Sequence, residues 1–411
     1  MSLVVAILGL AFLVFIHECG HFFASLAVGM RPRKFYIGFP PAVLKTTRNG
    51  IEYGLGAIPL GGYVRIPGMH RPAAKDVDLV FSRALHAAPE LVGPAERLKR
   101  SLAAEDYETA KIRLDEFHQR ALELGVPSIE KQVTDLEDAL SPQAYWRAPT
   151  WKRVTAIAAG PVTNLVFAVF LFAIVFATSA GKVTTTVDRV LPTENGKPAP
   201  ARQARLLPGD SIAAIRVDQK WTVVNKPSDI TETISNSKGH PVALLVSRHN
   251  KPFTLGPVRP LRTGSDNVYR LGFQLKAEPL AAGPALWESV KTTGFVARDT
   301  AKALGGIFRS KERNQIGGPV GISRTAADAV HYGWASYLSV LAFISLSLAL
   351  LNLLPLLPLD GGHIAFSLLE GIRGRAIARE VYERVSAVGI AIVLLLFVVG
   401  LSNDIGRLGG G

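Results

Sequence analysis

Cysteine is all but missing from this chain. Cys19 stands alone among 411 residues, so no intrachain disulfide can form. Charge is scarce as well: 19% of residues are charged and 48% are hydrophobic, which is too apolar for an ordinary soluble enzyme of this size. Four stretches lack charge almost entirely: Met1–Met30, Val154–Ala180, Ala335–Leu359 and Val385–Asn403. Each reaches the roughly 20 residues a helix needs to cross a bilayer's hydrocarbon core. Helices that long with no polar face are uncommon in soluble cores. The expected fold is therefore a polytopic α-helical membrane protein with about four transmembrane helices. The first stretch also lacks a basic leader region and a small-residue cleavage site, so it reads as a retained helix. No nucleic-acid-binding motif accompanies the net charge of +13, and a DNA or RNA partner is not expected.

Between the apolar stretches the composition changes several times. The expected segments are a first transmembrane helix at 1–30, a membrane-associated β-hairpin region at 31–72 and a cytoplasmic charged helical insert at 73–150. A second transmembrane helix follows at 151–180, a β-rich domain at 181–278 and an amphipathic membrane-surface segment at 279–334. A third transmembrane helix at 335–370 and a fourth with its tail at 371–411 complete the chain. The hairpin is read from Arg48-Asn49-Gly50 between alternating runs that end in Gly61-Gly62-Tyr63-Val64. In the insert, Leu98, Leu102, Ile112, Leu114 and Phe117 lie among charged residues, and Gly125-Val126-Pro127 breaks the pattern. That predicts a helical hairpin, either a solvated pair or a partner-binding module.

In 181–278, short β-branched runs alternate with turns such as Pro208-Gly209-Asp210, and a helical stretch lies near Asp229–Ser235. This order resembles a PDZ domain, a fold that binds extended peptides along a sheet edge. The resemblance implies a peptide C-terminus as a candidate partner; the alternative is a β-domain without a ligand. Farther on, Trp287, Val290, Phe295, Leu304 and Phe308 are interspersed with Lys and Arg. They fit a helix lying on the lipid surface or one packed into the outer domain.

Basic residues close to the spans set the orientation. Arg31, Arg33 and Lys34 follow the first span, Arg147, Lys152 and Arg153 precede the second, and Arg373, Arg375, Arg379 and Arg384 lie between the third and fourth. The positive-inside rule puts these flanks in the cytoplasm. Gly181–Trp334 carries 22 Lys/Arg against 12 Asp/Glu. Long domains translocate largely regardless of charge, so the short flanks decide. Both termini and the β-rich domain are then expected outside the cell membrane.

The chemistry is concentrated in His17-Glu18-Cys19-Gly20-His21. On a helix, residues four apart share a face, so both imidazoles can reach one metal ion, and Glu18 can take a proton from water beside it. Five residues of this kind also arise by chance, but here they interrupt a span otherwise free of charge. An ionisable group inside a bilayer is costly and needs a reason. Catalytic zinc takes three protein ligands and keeps one position open. Asp360, in Asn352-Leu-Leu-Pro355-Leu-Leu-Pro358-Leu-Asp360-Gly-Gly-His363, is the strongest candidate for the third. Prolines at membrane depth are tolerated where the backbone lines a cavity. Gly160 and Asn164 read as close helix packing and interhelical hydrogen bonding, with contact to the site as the alternative for Asn164. His363 reads either as a group behind the site or as a cap of the next helix.

Together, the HExGH pentapeptide, Ile58-Pro-Leu-Gly-Gly-Tyr-Val64, Ala158-Ala-Gly-Pro-Val-Thr-Asn164, the PDZ-like segment and Asn352–His363 resemble the bacterial site-2 protease family. The charged insert, longer than the usual linker, is the main departure. The resemblance implies an intramembrane zinc metalloprotease with His17, His21 and Asp360 on Zn2+ and Glu18 as catalytic base. It also implies that Asn352 helps to hold the substrate backbone. The expected substrates are single-span membrane proteins such as anti-sigma factors, cut after a first cleavage in their outer domain. The strand Gly54–Ile66, which contains Gly61 and Gly62, is expected to offer an edge that holds the unwound segment extended. The PDZ-like domain would either exclude substrates with bulky outer domains or bind a newly made C-terminus. The expected location is the plasma (inner) membrane, with the active site towards the cytoplasm. A cysteine introduced at Ser228 should react with an impermeant maleimide added to intact cells; protection there would reverse the orientation.

Overall fold

In a computed structural model of the protein, residues 2–127, 129–194, 197–263, 268–306, 318–377 and 379–409 are described. Two compact units are seen, Met1–Ala168 with Thr293–Gly411, and Val169–Thr292.

The first unit begins with α1 (Ser2–Ala27), which carries His17, Glu18 and His21 on its buried side. Two strands follow, β1 (Lys34–Arg48) and β2 (Ile51–Arg65). They form more than a simple hairpin. Lys34–Ile37 is registered with Glu52–Leu55 on one side and with Gly62–Arg65 on the other, while Leu44–Arg48 covers the far side of Ile51–Leu55. The folded sheet therefore has Gly62–Arg65 along an edge. Tyr36 lies at its centre, stacked on Tyr63 with ring centroids 5.1 Å apart. The Tyr36 hydroxyl donates to Glu52 at 2.7 Å; burial and this contact push the phenol up to about 12, so it remains a donor. Gly54 is required beneath it, because a Cβ would lie 2.2 Å from the Tyr36 ring.

The charged insert contains four helices: α2 (Ala74–Ala87), α3 (Val92–Ala103), α4 (Tyr107–Glu123) and α5 (Ile129–Leu140). The sequence reading of one helical hairpin is thus corrected. All four helices share a core around Val77, Phe81, Leu98, Leu114, Phe117 and Val133. Phe81 and Phe117 meet at 4.5 Å between centroids. Chain breaks at Pro89 and around Gly125 turn one amphipathic pattern into separate helices. Arg33 pairs with Asp138 and Arg65 with Asp135, both at 2.6 Å, tying the bundle to the foot of the sheet.

Among the described residues, four helices are long and apolar enough to cross a membrane: Ser2–Ala27, Thr150–Ala180, Trp334–Asn352 and Glu380–Gly406. The second contains α6 (Thr150–Val175), continued by a wider turn over Phe176–Ala180.

The second unit holds β3 (Lys182–Val190), the short ribbon β4 (Thr193–Glu194) and β5 (Lys197–Pro198), and α7 (Pro200–Gln203). β6 (Ser211–Val217), β7 (Lys220–Val223), α8 (Pro227–Asn236), β8 (Val242–Arg248) and β9 (Lys251–Val258) follow. β10 (Leu261–Thr263) pairs with β11 (Val268–Arg270), and β12 (Phe273–Glu278) closes the run. The main antiparallel sheet has the order β12-β3-β6-β8-β9, with β7 paired to β6. Its core is Val187, Ile212, Ile215, Ile230, Val242, Leu244 and Leu271. β12 lies at the sheet's edge beside α8. Between them runs a groove of about 650 Å³ lined by Ile230, Ile234, Leu271, Phe273 and Leu275.

The remaining helices are α9 (Ala282–Gly306), α10 (Pro319–His331), α11 (Trp334–Asn352), α12 (Asp360–Arg373) and α13 (Arg379–Gly409). Trp287, Val290 and Phe295 are exposed on α9; Phe308 lies outside the described residues. α10 packs on α1, α11 and α13. Its first turn is held by Asp404 of α13, which accepts from the Gly318 and Gly321 N–H groups at 3.0 and 2.9 Å. The expected third span at 335–370 is two helices, parted at its prolines. α11 stops at Asn352, Leu353–Leu359 turns through Pro355 and Pro358, and Asp360 opens α12. Proline supplies no N–H and clashes with the preceding turn, so neither helix can run through.

Asp210 anchors the second unit. Its buried carboxylate accepts from Arg248 at 2.6 and 2.7 Å and from the Leu207 N–H at 2.9 Å. Burial alone would raise its pKa; the Arg248 guanidinium and the Leu207 N–H outweigh that and hold it below the usual carboxylate range. In the unfolded chain it binds a proton near ~3.9. The pairing therefore stabilises fully above that value and is lost as pH falls through the lower folded value. Asp210→Ala should cost about 3 kcal/mol, read as faster amide exchange across β3, β6 and β8 in the detergent-solubilised chain.

Candidate metal centre

α1 is the base on which the centre is built. Residues four apart fall on one face, and the His17 and His21 Nε2 atoms are 3.2 Å apart. Asp360, at the first turn of α12, brings its Oδ2 to 3.2 Å from His17 Nε2 and 3.3 Å from His21 Nε2. Among the described residues, these three form the group whose ligand atoms converge within 4.8 Å of one another. Ligands about 2.0–2.1 Å from a tetrahedral zinc are separated by about 3.3 Å. The observed triangle has that size. Asp360 Oδ2 is also buried and, among the described residues, faces no hydrogen-bond donor other than the two imidazole nitrogens, and a cation among the three atoms would balance its charge. The donor set and its spacing therefore fit zinc.

Neighbouring segments come unusually close. The His21 ring Nδ1 donates to the Ala156 carbonyl of α6 at 3.0 Å, which leaves Nε2 with its lone pair towards the other ligands. Gly160, one turn further along α6, faces the same ring, and a Cβ there would lie 2.2 Å from His21 Nε2. Gly20 admits the α6 backbone in the same way, with a Cβ 2.5 Å from the Ala159 carbonyl oxygen. On the opposite side, Gly62 brings the sheet edge against α1; its Cβ would meet Tyr36 O at 2.7 Å and Glu18 Cγ at 2.8 Å. Glu18 is 8% exposed and within hydrogen-bonding reach of the Val64 N–H.

A cavity of about 500 Å³ opens on this centre. The seven residues expected to hold metal, act as base or bind substrate line it: His17, Glu18, His21, Gly61, Gly62, Asn352 and Asp360. His363, left open from sequence, lines it too, and its Nδ1 is hydrogen-bonded to the Tyr382 hydroxyl of α13. Gly160 and Asn164, read as close packing and interhelical hydrogen bonding, do this beside the centre: Gly160 abuts His21, and the fully buried Asn164 amide lies 3.4 Å from His17 Nδ1, the contact left as its alternative. The Gly160/Asn164 spacing was the available signal, since residues four apart share a face of α6. Nothing in the sequence marked Tyr382. A larger polar cavity of about 880 Å³, lined by Arg71, Tyr145, Arg153, Glu370 and Tyr382, contains no such trio among the described residues.

Comparison with known proteins gives a consistent outcome. The model of peptidase family M50 matches residues 5–396. The Regulator of sigma-W protease RasP of Bacillus subtilis is 27% identical over 420 residues, covering 96% of each chain. The Zinc metalloprotease RasP of Bacillus licheniformis is 28% identical over 420 residues, again covering 96% of each.

Gly160→Ala should force the His21 ring away from its partners. Overpacking of this kind costs about 1–3 kcal/mol. Metal affinity should therefore fall roughly five- to a hundredfold, measured by competition with a chromophoric chelator.

Proposed function

Because the chain belongs to peptidase family M50, the site-2 proteases, and is a zinc metalloprotease, we propose that it cuts single-span membrane proteins within the bilayer, with His17, His21 and Asp360 holding zinc and Glu18 as catalytic base. The observation that carries this reading is the 3.2–3.3 Å triangle of ligand atoms beside Glu18 on one cavity. Zinc in such a site supplies Lewis acidity, acidifying water and polarising a carbonyl.

The chain's own residues then have separable tasks. Glu18 takes a proton from the attacking water as the new C–O bond forms, and returns it to the amine as the peptide C–N bond breaks. Asn352, at the last turn of α11, offers an amide to the substrate backbone. Gly62–Arg65 is an edge strand on the cavity wall and can pair with a segment drawn out of its helix. Gly61 and Gly62 let that segment approach, since neither presents a side chain. The expected edge over Gly54–Ile66 is narrower than the sequence reading: Gly54 and Leu55 are already paired on both sides.

The same reading extends to topology and substrate. The basic flanks at 31–34, 147–153 and 373–384 support a cytoplasmic placement of the adjoining span ends in the cell membrane, with the 181–278 domain outside. That domain is read as a PDZ domain. Its groove between α8 and β12 supports binding of an extended apolar C-terminus, such as a first cleavage would create. The Bacillus subtilis relative is named a regulator of sigma-W protease, which supports an anti-sigma factor as the substrate class.

Glu18→Gln should keep its zinc and lose cleavage of a purified single-span substrate by about 10²–10⁴-fold. Zinc content and product appearance are measured on the same sample, and persistent cleavage would remove Glu18 from the mechanism.

A further inference from the structure

α6 provides a partner to each imidazole of the centre, and the two partners differ in kind. His21 donates to the Ala156 main-chain carbonyl, which no substitution removes. His17 faces a side chain, Asn164, two helical turns farther along α6. Asn164 has no solvent exposure, and its own main-chain carbonyl accepts from Ser345 Oγ at 2.8 Å, which pins it between α6 and α11.

The direction of the amide decides what His17 can do. With Nδ2 towards the ring, His17 Nδ1 must accept, so Nε2 carries the proton and cannot present a lone pair. That orientation also leaves Asn164 Oδ1 buried without a partner, at a cost of about 1–3 kcal/mol. Amide oxygen and nitrogen are assigned from their hydrogen bonds, and turning the group by half a revolution gives Oδ1 a donor. His17 Nδ1–H then donates to Oδ1, and Nε2 points its lone pair at the position shared with His21 Nε2 and Asp360 Oδ2.

We propose that Asn164 is a positioning residue: its Oδ1 accepts from His17 Nδ1–H and fixes the tautomer in which His17 binds the metal. The proposal rests on the reading of His17, His21 and Asp360 as the metal centre. It assigns α6 the task of orienting both imidazoles, one through backbone and one through a side chain. An aspartate at 164 keeps the acceptor, whereas a leucine of similar size removes it and leaves Nδ1–H without a partner.

The test uses the full chain in detergent, stripped of metal and titrated with zinc against a chelator, with cobalt(II) as a visible-spectrum probe. Asn164→Leu should bind zinc about 10–100-fold more weakly and shift the cobalt bands, while Asn164→Asp retains wild-type affinity and bands. Equal affinity in all three chains, or equal loss in both variants, would overturn the proposal. His17→Ala separates the two levels. If it binds zinc like the wild type, the metal-centre reading itself fails; if it loses zinc while Asn164→Leu keeps it, only the role of Asn164 fails. Should Asn164→Leu not fold, nitrogen chemical shifts of ¹⁵N-histidine in the metal-free wild type give the answer. A proton on His17 Nδ1 is expected, and one on Nε2 would overturn the assignment.

Discussion

Two imidazoles and two carboxylates share a space walled largely by aliphatic side chains, and none of these groups is stable there alone. Much of the surrounding structure can be derived from the need to hold them together. α1 supplies three of these groups on adjacent turns, but a helix cannot bring the fourth group to its own face from the same direction. The fourth comes from the first turn of α12, which exists as a separate helix because Pro355 and Pro358 stop the chain from continuing α11. The turn between them lines the cavity through Pro358 and Leu359, where irregular backbone is tolerable at membrane depth.

Holding the outer partners in place sets a second condition. His21 reaches a carbonyl of α6 only because Gly20 and Gly160 let the two helices approach more closely than alanines would. The sheet reaches Glu18 only because position 62 has no Cβ. Behind the sheet, Arg33 and Arg65 are paired with aspartates of α5, so the edge strand is tied at its foot to a bundle with its own core. The exposed Arg65–Asp135 pair contributes little stability by itself, whereas Asp138 is buried and relies on Arg33 for its partner. The effect of both pairs is to set where the strand begins.

How much of this was legible in the sequence differed by the range of the interaction. His17, Glu18 and His21 were legible because helical periodicity alone puts them together, and Asp360 because a ligand was missing and prolines marked an irregular site. The four apolar helices followed from length and charge. The four-helix insert was not legible, since an amphipathic period says which face is apolar and not which helix covers it. Nor was the double pairing of Lys34–Ile37, because the register shifts at several points along both strands and local turn chemistry reports only the Asn49-Gly50 turn. Tyr382 belongs to the same class: it touches a histidine more than a dozen residues away in sequence, and no local pattern encodes that distance. For Asn164 the sequence left contact with the site open but did not say which group it would meet.

Gly20, Gly62 and Gly160 have a consequence for how this chain can vary. Replacing glycine by alanine is among the commonest ways to make a protein more heat-resistant, because it narrows the unfolded ensemble. At these three positions that route is closed, since the added methyl group would fall inside another residue's atoms. A lineage adapting to heat would have to find its increments elsewhere, in the insert's helices or the sheet of the second unit. Thermal adaptation in such a chain should accumulate away from the cavity and leave these three close approaches unchanged.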